Sequence, residues 1–240
     1  MKKEKQVKDK FSLLKYLKIT LFGSKSGNYY MEDGSETYRN PDDAVVRSYV
    51  LPKLKNIKNN INYDKSIRLL DVGCGNGTFS IYLNEVFNVV GTDSSIKMLK
   101  KFPVQFTLIL ANAYSLPFKE KSFEIVFEAN VIHHIENDDS VISEMARLSK
   151  KYIIFIEPNI LNPLMFLFSV FHKPDRKALK LRKKKLCNIL KGYNFKIVKA
   201  IRTGMIFQNA TPEILLPILK IFDGNFVCGA YLLMIFEKRE

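Results

Sequence analysis

The stretch LLDVGCGNGTFS, Leu69 to Ser80, restricts the fold of this chain more than any other. A short apolar run reads as a buried strand, and Gly73, Gly75 and Gly77 follow it at every second position. Glycines there let the backbone turn sharply out of a strand into a helix, and let it approach a ligand at the helix N-terminus. A nucleotide-like cofactor is the natural guest of such a turn.

From Ile67 onward short apolar runs alternate with amphipathic ones. The pattern predicts strands at Ile67–Val72, Asn88–Thr92, Gln105–Ala111, Phe123–Glu128, Tyr152–Glu157, Phe195–Ile201 and Val227–Phe236. Helices are expected near Gly77–Val86, Ser95–Lys101, Asp138–Lys150 and Lys177–Lys191. Strands that alternate with helices imply a parallel sheet covered on both faces, an α/β fold. Before this region, Val7, Phe11, Leu14, Leu17 and Leu21 recur at steps of three and four, as in a basic amphipathic helix. A polar loop at Gly23–Gly34 follows, and then Asn40, Pro41, Asp42 and Asp43, with Asn40 as the expected cap of a helix running towards Asn56. Residues 1–60 therefore read as an N-terminal helical lid, and 61–240 as the main domain, with cap segments near 160–190 and 203–225.

The run IIFIEPNILNPLMFLFSVF, Ile153 to Phe171, is long enough to span a bilayer, but Glu157, Pro158, Asn159, Asn162 and Pro163 interrupt it. It reads as a strand, a turn and an apolar helix, and no transmembrane segment is expected. Cys74, Cys187 and Cys228 are odd in number, far apart and without a C-x-x-C pair, which argues for a reducing, cytoplasmic setting and against a zinc or disulfide framework. The formal net charge is +14 and sits on the flanks. Residues 1–25 hold eight Lys against two acids, and residues 173–202 hold twelve Lys and Arg against Asp175 alone. Such flanks suit RNA, an anionic membrane surface or an acidic substrate, and they also suit a chain that is simply lysine-rich.

A dinucleotide fingerprint needs Gly or Ala at its sixth position, where this chain has Thr78, and Asp71 would repel a pyrophosphate. A carboxylate there suits an ammonium or sulfonium cation instead. VVGTDSS, Val89 to Ser95, ends a second strand in Asp93, placed to accept both hydroxyls of a ribose. ANAYSLPF, Ala111 to Phe118, ends a third strand, with the amide of Asn112 available to the edge of an adenine. Three consecutive strand ends thus describe an adenosine with a cationic amino-acid tail.

Over roughly Ile67 to Asn159 these motifs resemble the class I S-adenosylmethionine-dependent methyltransferases, in the broad group with a D-V-G-C-G-x-G first motif and an LPF-containing third. The resemblance implies a Rossmann-like, doubly wound seven-stranded sheet with an antiparallel last strand, N-terminal helices and a small C-terminal cap insertion. It implies that Gly73, Gly75 and Gly77 line the methionyl and ribose part of the cofactor, that Asp71 sits near its amino group and that Asp93 binds the ribose. Cys74, Ser94, Ala113 and Glu128 complete the expected contacts, with Asn112 where the family usually has Asp. The segment SFEIVFEANVIHHIEN, Ser122 to Asn137, resembles the family's fourth strand and the L-H-H segment after it, with Glu124 in place of the usual Asp.

The candidate bases are His133, Glu157 and Tyr38, and the sequence does not choose among them. No metal site is expected, because adjacent helical positions such as His133 and His134 point apart. The expected activity is in-line methyl transfer to a small or amphiphilic, lipid-linked or acidic metabolite. The competing expectations are an RNA methyltransferase that uses KLRKKK, Lys180 to Lys185, and a non-catalytic cofactor-binding or interaction protein. Peripheral membrane contact is open, and oligomeric state is not readable.

Overall fold

The computed structural model describes residues 38–102, 107–180, 183–224 and 226–239. The expected helix over residues 7–21, the loop at Gly23–Gly34 and the start of the third strand lie outside them. Seven strands run in chain order: β1 (Arg68–Val72), β2 (Asn88–Asp93), β3 (Thr107–Leu110), β4 (Phe123–Ala129), β5 (Ser149–Pro158), β6 (Phe195–Thr203) and β7 (Tyr231–Lys238). They form one sheet in the order β3-β2-β1-β4-β5-β7-β6. The first five are parallel, and β7 runs antiparallel between β5 and β6. This is the doubly wound sheet with an antiparallel last strand that the motifs implied.

Seven α-helices accompany the sheet among the described residues: α1 (Ala44–Lys58), α2 (Ser80–Leu83), α3 (Ile96–Leu99), α4 (Asp138–Leu148), α5 (Pro163–Phe171), α6 (Lys183–Gly192) and α7 (Leu216–Leu219). Period-two alternation gives the sheet two buried faces. Leu69, Ile125, Phe127, Ile154, Leu233 and Ile235 face one core with Val45, Tyr49 and Phe79, and Leu70, Val126, Ile153, Phe155 and Phe236 face the other with Ile142, Met145 and Leu186. Helix α1 belongs to the first core, with Val45, Tyr49 and Val50 fully buried.

The apolar run from Ile153 resolves as expected into β5, a turn and α5, which begins at Pro163 under an Asn162 cap. No helix of the described residues is long and apolar enough to cross a membrane. Four local expectations need correction. Asp43, not Asn40, caps α1, with its Oδ1 accepting from the Val45 amide at 2.8 Å, while Asn40 Oδ1 turns the preceding loop by accepting from Asp42. The glycine loop is followed by a single turn, α2, because the chain is drawn back at Phe87 to start β2. The helix expected at Lys177–Lys191 is divided between a 3-10 segment at Lys173–Leu179 and α6. Strand β7 starts at Tyr231 because Phe226 to Gly229 close a turn first, with the Gly229 amide on the Phe226 carbonyl.

Candidate active site

The C-terminal ends of β1, β2, β3 and β4 open onto a cavity of about 460 Å³, the usual position of ligands in such sheets. Of the residues expected at a cofactor, Asp71, Gly73, Cys74, Gly75, Asp93, Ser94, Asn112 and Ala113 line it. Gly77 and Glu128 do not. Gly77 has φ +91° and rests on the Phe102 ring, where a Cβ would come within 2.6 Å, so it serves the folding of the loop. Gly73, at φ +73°, lies equally close to Val131, 2.5 Å from where its Cβ would be.

The loop's amides do not await a ligand as the glycine spacing suggested. The Gly73 and Cys74 amides both donate to the Thr92 carbonyl, and the Gly75 amide donates to Asp93 Oδ2 at 2.9 Å. What the loop offers the cavity is its bare Cα edge and a fixed carboxylate. Asp93 Oδ1 also accepts from the Ser95 amide at 2.8 Å. Asp71 is buried and accepts from the Ser80 hydroxyl, and burial pushes its carboxyl up to about 7 despite that bond. Burial likewise raises Asp93 against its backbone hydrogen bonds. Among the described residues neither carboxylate is ion-paired with a Lys or Arg.

That donor set fits S-adenosylmethionine. Its ammonium is a cation of the kind that the buried Asp71 carboxyl has no Lys or Arg to supply, its ribose hydroxyls suit a carboxylate such as Asp93 that is held by backbone amides alone, and a cavity of this size suits a ligand of its bulk. Asn112 Oδ1 accepts from the Tyr114 amide at 3.0 Å.

A second cavity of about 80 Å³ adjoins the first. Tyr38, Asn130, His134 and Gln208 line both, and Phe168, Phe207, Tyr231 and Asp175 belong to the second. Asn130 sits just past β4 at φ 58°, and its Nδ2 donates to the hydroxyl of the buried Tyr49, 2.8 Å away. The segment after β7's partner strand comes over the top: Arg39 donates to the Thr211 carbonyl at 2.9 Å and pairs with Asp43, while Asn76 holds the Arg39 carbonyl. The cap segment is thereby tied to both the glycine loop and the start of α1.

Behind the second cavity lies a buried polar chain. Glu128 Oε2 accepts from the Val131 amide at 3.0 Å while its Oε1 has no hydrogen-bond partner, and burial together with the charge of Glu157 pushes the Glu128 carboxyl well above the carboxylate range. Glu157 Oε1 takes the Ile132 amide at 2.8 Å and Oε2 meets His133 Nδ1. His133 Nε2 lies 3.0 Å from Asp175 Oδ1, and His172 Nδ1 meets Asp175 Oδ2. Burial alone would lower His133, but Glu157 and Asp175 outweigh it and hold the imidazole at about 10. Burial would raise Asp175, yet the hydrogen bonds from His133 and His172 hold it below the carboxylate range.

Tyr38 lines both cavities; His133 lines the second with both ring nitrogens engaged; Glu157 lines neither. The residues that sequence reasoning passed over are His134 and Asp175. His134 was legible as half of an adjacent pair, whereas Asp175 lies 42 residues from its partner His133, and only His172, three residues before it, is local. The expectation that the two histidines point apart assumed an α-helix. They sit in a 3-10 turn, Ile132–His134, with ring centroids 3.8 Å apart, and both approach Asp175.

Residues 70–155 match the family model described as a methyltransferase domain. An uncharacterized protein of Methanocaldococcus jannaschii is 34% identical over 138 residues, which is 55% of this chain and 59% of that one. The ubiquinone biosynthesis O-methyltransferase of Pelagibacter ubique is 33% identical over 101 residues, 38% of this chain and 42% of that one. The chain spans about half the length of the curated relatives it matches. Among solved structures, a methyltransferase from Thermotoga maritima superposes with a TM-score of 0.61 at 19% identity, covering 81% of this chain and 92% of that one, a likeness of fold.

Proposed function

We propose that the chain, which has the fold of the class I, Rossmann-like S-adenosylmethionine-dependent methyltransferases, methylates a small or amphiphilic acceptor held in the second cavity. The observation that carries this reading is the pair of adjoining cavities with Tyr38, Asn130, His134 and Gln208 in both walls, the larger one carrying a carboxylate at each of two strand ends, Asp71 buried and Asp93 half-buried.

Bound in the larger cavity, S-adenosylmethionine supplies a methyl carbon on a sulfonium sulfur, which leaves neutral with the bond's electron pair once an acceptor lone pair takes the methyl. Asp71 holds the ammonium end, Asp93 the ribose hydroxyls and Asn112 the base. Tyr38 and His134 touch the acceptor, and Glu157 and His133 are positioning residues behind His134. Phe168, Phe207 and Tyr231 give the acceptor an apolar wall, and the cap segment with Gln208 keeps water out. Alignment of acceptor and methyl group in a closed site is worth up to about 7–11 kcal/mol of the barrier, more than any single hydrogen bond here provides.

The basic stretch gives RNA less than its composition promised: Lys185 is spent on Asp138 and Asp139 at 2.5 and 2.9 Å, and Lys177 faces Glu136 at the mouth of the larger cavity. The test is incubation with methyl-labelled cofactor and a cell extract separated into RNA, protein, lipid and polar-metabolite fractions. Label in lipid or metabolites is the expected result, and label confined to RNA would replace this acceptor class.

A further inference from the structure

All three histidines of the sequence converge on one aspartate at the wall between the two cavities. His133 Nε2 is 3.0 Å and His134 Nε2 3.6 Å from Asp175 Oδ1, and the three ligand atoms lie within 4.8 Å of one another. We propose that His133, His134 and Asp175 form a binding site for one divalent transition-metal ion of the zinc class, with its fourth position open to the second cavity.

Bonds of about 2.0–2.1 Å in a tetrahedron put neighbouring ligand atoms about 3.3–3.4 Å apart, and the two distances to Asp175 straddle that value. The three atoms all lie within 4.8 Å of one another, so an ion needs the partly exposed His134 ring to turn inward towards His133. The ligand chemistry selects its class, since imidazole nitrogens favour zinc, iron, nickel or copper over magnesium or calcium. The surroundings are those of a supported site. Glu157 meets the other nitrogen of His133, the carboxylate–histidine–metal arrangement that fixes ring and tautomer, and His172 meets the free oxygen of Asp175. His133 and Asp175 are buried while His134 is partly exposed on the cavity side, so entry is from that cavity. Three protein ligands with an open fourth position is the pattern of a catalytic rather than a structural ion.

The site stands on this geometry alone; its use rests on the methyltransferase reading. Facing the methyl donor's cavity, the open position takes an acceptor oxygen, and a hydroxyl bound there gives up its proton to water more readily, which leaves a better nucleophile beside the donor.

The full chain, stripped with a chelator, is titrated with cobalt(II) and followed by the visible absorption of four-coordinate cobalt, with zinc as competitor and cofactor binding measured on the same samples. One equivalent is expected to bind and to be displaced by zinc. His134→Gln, chosen because its ring is partly exposed, and Asp175→Asn are each expected to weaken binding at least tenfold while the circular dichroism of the fold is retained. Absence of stoichiometric binding by wild-type protein that still binds S-adenosylmethionine would overturn the site and leave the methyltransferase reading standing. Equal affinity in wild type and His134→Gln would overturn it as well. Stoichiometric cobalt without label in any extract fraction would support the site and sink its assigned use.

Discussion

The two cavities are built in opposite ways. The walls of the larger one come from consecutive strand ends, with Asp71, Gly73, Gly75 and Asp93 inside 23 residues and the loop's own amides spent on Thr92 and Asp93. The smaller one is assembled from Tyr38, His134, Asp175, Phe207 and Tyr231, which the fold gathers from the whole length of the described chain. The first is set by backbone geometry and tolerates no side chain at Gly73; the second is side-chain chemistry and depends on a buried chain of charges. On the proposed function, a cofactor common to many reactions meets the part set by the backbone, and the acceptor the part that can vary without disturbing β1 and β2.

Substitutions should therefore separate the two ends. The largest effect is expected for Gly73→Val: side-chain atoms forced at φ +73° against Val131, 2.5 Å away, should abolish cofactor binding, read as a loss of more than a hundredfold in titration calorimetry. Asp93→Ala should weaken the cofactor at least tenfold, about 1.4 kcal/mol or more for lost hydrogen bonds to a carboxylate, and unchanged affinity would remove the ribose assignment. Glu157→Gln should cut turnover about 10–100-fold through His133 while cofactor affinity stays within twofold. A matching fall in cofactor affinity would erase the division between the two ends.

Cofactor binding should also depend on pH through Asp71. Its buried carboxyl has a pKa of about 7 in the free protein, whereas the complex needs it ionised opposite an ammonium. Below pH 7 binding must release the proton, so the dissociation constant should rise about tenfold per pH unit and be flat above it. Asp71→Asn should bind weakly and lose the slope.

The difference between the two ends also explains what the sequence disclosed. The order of elements was legible because short continuous apolar runs such as YIIFIE in β5 are buried on both faces, and the apolar run after them was broken by Asn159, Asn162 and Pro163 where the turn falls. Asp71 and Asp93 were legible because a strand end and a glycine loop are local. Asp175 was not, since the partner that carries it to the cavity, His133, lies 42 residues away, and the local one, His172 three residues before it, does not by itself mark a site. Gly77 was misplaced for a related reason. Its neighbour Phe102 belongs to the turn after α3, so the packing that demands a glycine there is non-local.

The least effect on cofactor binding is expected beneath the acceptor end, at Lys53, where the change is in stability. Its side chain is buried in α1, its Nζ donates to the Tyr49 carbonyl at 2.8 Å and lies 3.6 Å from the Tyr49 ring and 4.6 Å from that of Tyr231. The rings and the charge of Asp223 favour the ammonium, but burial outweighs them and lowers the pKa from 10.5 to about 7. Below pH 7 folded and unfolded chains both carry this proton, and the fold bears the whole cost of burying it. Between pH 7 and 10.5 the unfolded chain holds more proton than the folded one, so this residue's contribution to stability improves as pH rises. Lys53→Met should therefore stabilise the fold most at pH 6–7, by about 1–3 kcal/mol once the lost ring contacts are counted, with the gain shrinking towards pH 10. Urea unfolding of both proteins across that range measures the difference, and a gain independent of pH would show that the lysine is charged throughout. Because Tyr49 also carries Asn130 into both cavities, a stabilised variant with weaker acceptor binding but unchanged cofactor affinity would place this buried charge in the acceptor's half of the molecule.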